Sequence, residues 1–333
     1  MINYSDYLQL ATILNAQHTE SEKLQLPAHD ETLFIIIHQA YELWFKQLLH
    51  ETESIAVILD KPSLNDNSPE LQTVVHRLSR MTTILKVLVH QIDIMETMTP
   101  MDFLDFRDML RPASGFQSWQ FKMLEARLGL KFSQRHGQEY YTSQLSPEHI
   151  QLIKDAESKP TIFELVNGWL NRMPFLQQSF QTFNPDHFWK DYREAYAASL
   201  SNAEKTNLQH FDQYFFHEQA EGSFLTLKAR RAAHFIMLYR GYPLLHLPYE
   251  LISYLLEIDE QLSIWRYRHM SMVQRMIGSR IGTGGSSGKD YLAGAVQKHS
   301  IFGEFSRLTS FLLNRRNIPS LPKEMEKLLG FFS

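Results

Sequence analysis

The chain has 333 residues, enough for one large domain or two ordinary ones, and 44% of them are hydrophobic, which suits a sizeable packed core. Its 33 Lys and Arg against 37 Asp and Glu give a formal charge of -4, so the strong basic field that would attract nucleic acid or anionic lipid is excluded. Cysteine is absent, which excludes disulfides, thiolate metal ligands and a catalytic thiol. Because no signal peptide and no apolar run long enough to span a bilayer are visible, we expect a cytoplasmic protein with no membrane partner.

Long stretches with helical periodicity predict an all-α fold. Gly and Pro number only 14 and 13, and few segments show clean alternation of polar and apolar residues. Residues 31–59 contain neither Gly nor Pro and place their apolar side chains on one wide helical stripe, and residues 71–98 form a second such stretch. We expect the last long helix to run from about Tyr249 to Arg280 and to meet a glycine-rich loop at Gly282.

Shorter helices are indicated by their end signals. Thr99 is a candidate N-cap with Pro100 at the first helical position, and the Arg111–Pro112 dipeptide ends that helix. Residues 114–117 have the spacing of a capping box and are expected to open the next helix, which should stop at Gly129.

The middle of the chain differs from the rest. Residues 133–228 are more polar and have shorter apolar periods. We interpret them as shorter helices that form an insertion or lid on the main bundle, within a single all-helical domain spanning 1–333. No internal repeat and no linker are visible.

The sequence does not match two common site motifs, one for zinc and one for phosphate. The 15 histidines invite a search for zinc, but His50–Glu51 and His217–Glu218 are not followed by the second His of a His-Glu-x-x-His motif. The glycine-rich segment 282–290 has Thr283 and Asp290 where a phosphate-binding loop needs Gly and Ser or Thr, and it follows a predicted helix rather than a strand. What remains is a loop with backbone N–H groups able to fold over an anion.

His269 lies in an apolar stripe on the last long helix. The stripe steps by three or four residues through Leu251, Leu255, Ile258, Leu262, Trp265, His269, Met272 and Met276. One interpretation is a core histidine bonded to a backbone carbonyl. The other is an axial ligand to haem, since a buried helix can offer one imidazole nitrogen to a large apolar plane.

Two further side chains suggest a pocket. Phe34 and His38 share a helical face within an aliphatic run, where the His is either a satisfied core residue or a hydrogen-bond partner or base for a bound molecule. Phe103 and Arg107 are also four residues apart, so Arg107 is either a surface side chain packed over apolar neighbours or a clamp for a carboxylate. With Thr283 in the loop, these are the components of a site for an aromatic amino acid near a haem.

Several segments then carry a resemblance to a known family. They occur in the family's order at residues 4–10, 29–44, 106–108, 112–118, 265–270 and 282–288. With them the sequence resembles the tryptophan 2,3-dioxygenase family. The resemblance implies a haem b enzyme, with one haem per subunit, that inserts both atoms of O₂ across the indole C2–C3 bond of L-tryptophan and yields N-formyl-L-kynurenine.

The resemblance also implies roles for individual residues. His269 would be the proximal iron ligand, His38 would lie near the indole N–H on the distal side, and Ser114 and Gly115 would lie against the haem. Arg107 would bind the substrate carboxylate and Thr283 the amino-acid end of the substrate. The substrate pocket would be walled by Phe34, Ile35, Ile36, Ile37 and Phe103. Some members have Tyr in place of Phe103, so a phenol has no role at this position.

The family's quaternary structure is implied as well. Tyr4, Tyr7 and Leu8 match an N-terminal segment that completes the site of a neighbouring subunit in a homotetramer built as a dimer of dimers.

Two alternatives stay open from the sequence. One is a related haem enzyme that oxidises another indole or aromatic amino acid, including by monooxygenation; Arg107 and Thr283 argue against substrates that lack the amino-acid end. The other is a non-catalytic haem or gas sensor, which would not need a carboxylate clamp and would usually carry an output domain.

Overall fold

The computed structural model shows an array of α-helices, with no strand among the residues that it describes. These are residues 2–65, 67–132, 135, 142–173, 183–278, 280 and 299–330. The helices are α1 (Tyr4–Leu8), α2 (Leu10–Ile13), α3 (Glu20–Lys23), α4 (Asp30–Leu59), α5 (Pro69–Met95), α6 (Pro100–Arg107), α7 (Trp119–Leu128), α8 (Pro147–Glu157), α9 (Ile162–Asn171), α10 (Pro185–Ser199), α11 (Asn207–Phe216), α12 (Leu227–Leu238), α13 (Pro243–Ile277), α14 (Gly303–Arg307) and α15 (Lys323–Leu329). The all-α prediction is confirmed.

The framework is formed by α4, α5 and α13, the three longest described helices. Helix α4 matches the predicted stretch, and its stripe places Leu48 and Ile55 in the core with no exposed surface. Helix α5 begins after its N-cap Ser68 and ends at Met95, three residues before the predicted end. Helix α13 packs along α5, and α4 packs against both α5 and α7. These contacts bury the apolar stripes that the sequence pattern had indicated.

The predicted bounds of the last long helix were wrong at both ends. The helix begins at Pro243, and Pro248 lies inside it. A proline in the early turns removes only one intrahelical hydrogen bond, and the burial of Leu245 against the core offsets that loss. The helix ends before Gly278, whose φ of 59° terminates it four residues before the expected Gly282, which lies outside the described residues.

The connection between α6 and α7 also differs from the prediction. Thr99 is the N-cap of α6, as predicted, and it forms a complete capping box with Asp102. The box at Ser114, however, opens a 3₁₀ turn, Gly115–Gln117, and Ser118 is the residue that caps α7. Two serines four residues apart both have N-cap chemistry, and the sequence alone did not separate them. Helix α7 stops at the predicted residue, Gly129, which has a positive φ of 139°.

The middle of the chain contains shorter helices, as predicted. Helices α8 to α11 have 10 to 15 residues, against 27 to 35 in the framework helices. Helix α9 packs on both α4 and α12. Residues 133–134, 136–141 and 174–182 of this region lie outside the described residues. That the region is an insertion or lid, and that the chain is one domain, stay predictions.

Candidate functional site

A cavity lies where α4, α6, α7 and α13 meet. Its lining includes the apolar side chains Met95, Met98, Phe116, Phe121, Trp265, Met272, Val273, Met276 and Ile277. Seven of the site residues predicted from the sequence also line it: Phe34, His38, Phe103, Arg107, Ser114, Gly115 and His269. Side chains separated by more than 200 residues in the sequence are therefore brought to one concave, mostly apolar space, the usual form of a small-molecule site.

Helix α13 positions His269 through its apolar stripe. The first half of the stripe, from Leu251 to Leu262, is buried in the core, and the second half, from Trp265 to Met276, lines the cavity. The imidazole stacks on Trp265, with ring centroids 5.1 Å apart and planes inclined by 10°. Burial, aided by the nearby His38, lowers the pKa of His269 to about 4, so the ring is neutral at pH 7. A neutral imidazole facing a cavity is the form that binds a metal.

His38 faces the same cavity from α4. Its Nδ1 lies 2.7 Å from the carbonyl oxygen of Phe34, and because a carbonyl only accepts, Nδ1–H is the donor of this hydrogen bond. Burial lowers the pKa of His38, against the opposing effects of the Phe34 carbonyl and Glu42. The neutral tautomer therefore leaves Nε2 with a lone pair, so the ring offers an acceptor.

An aromatic wall stands beside His38. The ring centroids of Phe34 and His38 are 4.2 Å apart, and Phe103 and Phe106 lie 5.7 and 5.5 Å from Phe34. Tilted and edge-to-face pairs at these distances fix the rings relative to one another. The wall can hold a flat aromatic group next to the His38 acceptor.

Arg107 is buried at the end of α6 and is only 4% exposed. The interpretation as a surface arginine is therefore wrong. Its Nη1 lies 3.8 Å from Oδ1 of Asp108, whose carboxylate is largely exposed to solvent. A guanidinium at a cavity wall, beside Phe103, has the geometry of a carboxylate clamp next to an aromatic pocket.

Ser114 and Gly115 form a tight turn at the cavity. Ser114 accepts a hydrogen bond from the Phe116 N–H, 3.3 Å away, and its own N–H donates to Gln117 at 3.2 Å. A Cβ added at Gly115 would have no heavy atom within 4 Å. The backbone of this turn therefore faces the cavity, and the space in front of it is open to a bound group.

A charged cluster that the sequence reasoning missed also lines the cavity. It consists of Lys122, Glu125, Arg135, Arg266 and His299. Glu125 accepts from Arg266 and from Arg135, each at 2.7 Å, and lies 3.7 Å from His299 Nδ1. Burial by itself would raise the pKa of Glu125, but the Arg266, His299 and Arg135 side chains hold it well below its usual range.

The only sequence signal for this cluster was a charged residue next to Trp265 in the stripe of His269. Arg266 lies 141 residues after Glu125 along the chain, and His299 lies farther still, so no local spacing could show the cluster.

Comparison with known proteins identifies the family. A family model described as tryptophan 2,3-dioxygenase matches residues 1–220 and 206–312. A tryptophan 2,3-dioxygenase of Bdellovibrio bacteriovorus is 43% identical over 99% of this chain and 98% of its own length. Those of Alteromonas mediterranea and Dictyostelium discoideum are 44% and 39% identical over 99% of this chain and 97% and 88% of their own lengths. The chain belongs to the tryptophan 2,3-dioxygenase family.

Not every site residue expected from the family resemblance lines the cavity. Ile37 is buried in the core, Ile36 is half exposed, and neither of them nor Ile35 belongs to the cavity lining. Consecutive residues of a helix point in different directions, so only part of the run beside Phe34 and His38 can face one space. Thr283 lies outside the described residues.

The N-terminal residues of the family pattern lie on the surface of this chain. Tyr4 and Tyr7 in α1 are 75% and 74% exposed, and Leu8 is half-buried. Within the part of the chain that the structure describes, none of the three lines the cavity. Their own subunit's core does not cover the two tyrosine rings.

Among the residues that the structure describes, no group of three or more His, Cys, Asp or Glu side chains is arranged to hold a bare metal ion. None of the helices described is long and apolar enough to cross a membrane.

Proposed function

We propose that this chain is a haem-dependent tryptophan 2,3-dioxygenase, which converts L-tryptophan and O₂ to N-formyl-L-kynurenine. The observation that carries the proposal is the meeting, in one cavity, of a neutral His269, the acceptor of His38 beside its aromatic wall, and the buried guanidinium of Arg107. Family membership supports the same reaction.

The residues of the cavity fit a haem b. His269 is neutral, and its buried Nδ1 has no hydrogen-bond partner among the described residues, so this nitrogen is not committed to the protein. The lining is mainly aromatic and thioether side chains, which suit an apolar macrocycle. The open space in front of Gly115 leaves room for a flat group against backbone. His269 would ligate the iron, and Ser114 and Gly115 would lie against the macrocycle.

When bound, the haem iron supplies the redox chemistry that lets triplet O₂ react with a closed-shell indole. The protein's own part is to bind and orient the substrate. Arg107 would hold the carboxylate with two parallel hydrogen bonds, and Phe34 and Phe103 would form the wall against which the indole ring packs. Both oxygen atoms end in the product, so the turnover balances without an external reductant.

His38 would act on the indole N–H group of the substrate. In the tautomer fixed by the Phe34 carbonyl, Nε2 accepts a hydrogen bond and can hold the indole N–H. The lowered pKa of His38 makes it a poor base, and an indole N–H is a very weak acid. We therefore assign His38 to orientation of the ring rather than to removal of its proton.

The proposal includes the assembly. Tyr4, Tyr7 and Leu8 would complete the substrate pocket of a neighbouring subunit in a homotetramer, which accounts for two large apolar side chains left exposed on α1. Thr283 would contact the amino-acid end of the substrate. The cytoplasmic location stays a prediction.

The test is an aerobic assay of reduced, haem-loaded protein with L-tryptophan, following N-formyl-L-kynurenine by its absorbance and mass. We expect product from L-tryptophan and little or none from tryptamine, which lacks the carboxylate. Haem-loaded, reduced protein that leaves L-tryptophan unchanged would refute the proposal.

A further inference from the structure

A buried carboxylate at the start of α4 takes no part in the cavity. Glu31 lies in the first turn of α4, is only 1% exposed and does not line the cavity. Its two carboxylate oxygens accept from the backbone N–H groups of Glu20 at 2.8 Å and of Ser21 at 3.0 Å. A buried charge is costly unless hydrogen bonds satisfy it, and the positive end of the α4 dipole also favours a carboxylate here. Glu31 is therefore held in place by α3 and holds α3 in return.

The two N–H groups belong to the first turn of α3. Thr19, the N-cap of this helix, forms no side-chain capping bond, so Glu31 provides the acceptors that an N-cap side chain would normally provide. Ser21 is fully buried, and its Oγ accepts from the Ala28 N–H at 3.1 Å. The chain from residue 19 to residue 28 is thus a closed loop that Glu31 attaches to α4.

A second attachment lies about two helical turns further along α4. Gln39 accepts from Nε2 of Gln17 at 2.7 Å and donates from its own Nε2 to the carbonyl oxygen of Ala16 at 3.0 Å. Before this point, α1 and α2 contain no buried residue. We call residues 16–28 the base and residues 4–13 the arm. The base is fixed at two points of α4, and the arm extends from it with its two tyrosine rings exposed.

We propose that Glu31 is a positioning residue for the substrate pocket of the neighbouring subunit. By fixing the base, it sets the place and direction from which the arm presents Tyr4 and Tyr7 to that pocket. The inference rests on the proposed function, in which the arm completes a neighbour's site, and it adds the attachment that directs the arm. A loose arm would lose conformational entropy each time it docked, whereas an arm on a fixed base has lost part of that entropy beforehand.

Helix α3 offers Glu31 a second route, within its own chain. It packs against the 3₁₀ turn Asp108–Leu110, which directly follows Arg107. Helix α6, however, has its own capping box and buries the Arg107 side chain, so this guanidinium has supports that do not depend on α3. The arm has no buried residue of its own and depends on the base. These observations favour the route across the subunit boundary, and the test separates the two routes.

The first measurement is the steady-state kinetics of haem-loaded Glu31→Gln protein. The substitution keeps the size of the side chain but replaces one acceptor oxygen by an NH₂ donor, which then faces a backbone N–H of α3. Loss of a charge-assisted hydrogen bond of this kind should raise KM for L-tryptophan about tenfold, while kcat changes less. Glu22→Gln, which removes an exposed charge from α3 itself, is the matched control and should change neither constant. An unchanged KM in Glu31→Gln would overturn the proposal.

Mixed oligomers show in which subunit Glu31 acts. One chain lacks residues 1–10 and supplies an intact pocket, and the other is a full-length His38→Ala, Arg107→Ala chain that supplies its arm. After subunit exchange this pair should recover activity. Glu31→Gln in the arm-supplying chain should raise the KM of the recovered activity about tenfold, whereas the same substitution in the pocket-supplying chain should leave it nearly unchanged. If Glu31→Gln does not fold, Ser21→Ala, a milder change of the base, should give the same asymmetry with a smaller shift.

Other patterns of loss would overturn the inference. A loss confined to Glu31→Gln in the pocket-supplying chain would show that Glu31 acts on its own cavity, through the turn after Arg107. Equal losses in the two placements would show a general structural role. No recovery with the unsubstituted pair would contradict the crossing of the arm, and with it this inference. Failure of the proposed function differs from all of these, because wild-type, haem-loaded protein would then form no N-formyl-L-kynurenine.

Discussion

Two regions of this protein contain the same kinds of side chain and use them differently. In the aromatic core, α12 carries the buried side chains Arg230 and His234, and His234 packs beside the buried ring of Trp189. Arg230 donates to the backbone carbonyls of Tyr214 and Leu225, each at 2.7 Å, and His234 Nε2 lies 3.1 Å from the hydroxyl of Tyr192. Here a histidine, an arginine and a tryptophan serve the packing of the protein.

At the cavity, α13 carries Trp265, Arg266 and His269 with a similar composition. These side chains line open space instead of filling it. The difference lies in the neighbouring elements: α10 and α11 cover His234, while the turn at Gly115 stands back from His269. A buried histidine in an apolar stripe is therefore not by itself a sign of function. What distinguishes His269 from His234 is the open cavity in front of its ring.

The largest expected effect is at the two histidines. His269→Ala should lose most of its haem, because no other nitrogen ligand is proposed on that face. His234→Ala should lower the melting temperature through a core cavity but keep one haem per folded subunit. The measurement is haem content per folded protein with the ferrous absorption spectrum. Full haem content and an unchanged spectrum in His269→Ala would remove that residue from its role.

The next effect is at the two arginines near α6. Arg107→Ala should weaken L-tryptophan binding by roughly 2–5 kcal/mol, or tens to thousands of fold, because a buried carboxylate is left unpaired. Tryptamine binding should hardly change. The exposed Arg111, which pairs with Asp108 on the surface, provides the control, and Arg111→Ala should bind both ligands normally. Equal losses for the two ligands in titration calorimetry would rule out a carboxylate role for Arg107.

The N-terminal segment tests whether the cavity is complete within one chain. Deletion of residues 1–10 should leave a folded, haem-binding protein, because none of α1 is buried, and should sharply reduce tryptophan binding and turnover. The truncated chain is then mixed with a full-length His38→Ala, Arg107→Ala chain under conditions of subunit exchange. Recovery of activity shows that the segment acts across subunits, and no recovery in mixed oligomers shows that it acts within its own.

A smaller effect is expected at His38. If the side chain only orients the indole, His38→Ala removes one neutral hydrogen bond and should slow turnover by about tenfold. An obligatory base would cost about 10²–10⁴-fold. 1-Methyltryptophan, which has no indole N–H, should react slowly with the wild type, and His38→Ala should not slow it further. Complete inactivity of His38→Ala, with haem and substrate still bound, would contradict orientation.

The pH profile sharpens the same assignment. The acceptor role needs neutral His38, and burial lowers its pKa below the ordinary 6.5, so the neutral form persists as the pH falls through 6.5. The acid limb of kcat/KM should therefore lie below pH 6.5. An acid limb above that value would show that His38 is protonated too easily for this role.

The smallest effect is at the helix cap that positions the clamp. Thr99→Ala removes the capping box of α6, the helix that carries Phe103 and Arg107, and should cost about 1 kcal/mol of stability. Thr97, exposed two residues earlier, provides a control outside the cap. Denaturant unfolding measures both. A loss for Thr99→Ala no greater than that for Thr97→Ala would show that the cap contributes little.

Periodicity and end signals were enough to predict that the framework helices exist, but not all of their ends. They gave α4, the N-terminus of α6 and the end of α7, because these depend on neighbours along the chain. The start of α13 was missed because Pro248 looks like a helix breaker, and only the tertiary burial of Leu245 outweighs it.

Part of the site could also be predicted, because some of its residues are close neighbours along one helix. Phe34 and His38, or Phe103 and Arg107, are pairs on one helical face and are visible in the sequence. The charged cluster around Glu125 depends on partners from α13 and from residues 135 and 299, which only the fold brings together. Which of the three isoleucines beside His38 faces the cavity also depends on how α4 is rotated against its neighbours.

The most direct test of the central claim is the fate of molecular oxygen. Reduced, haem-loaded protein is given L-tryptophan under ¹⁸O₂, and the product is analysed by mass spectrometry before exchange with water. The account predicts N-formyl-L-kynurenine that carries two atoms of ¹⁸O, one in each new carbonyl group. A product with a single ¹⁸O atom would indicate monooxygenation and would contradict the assignment of this cavity as a dioxygenase site.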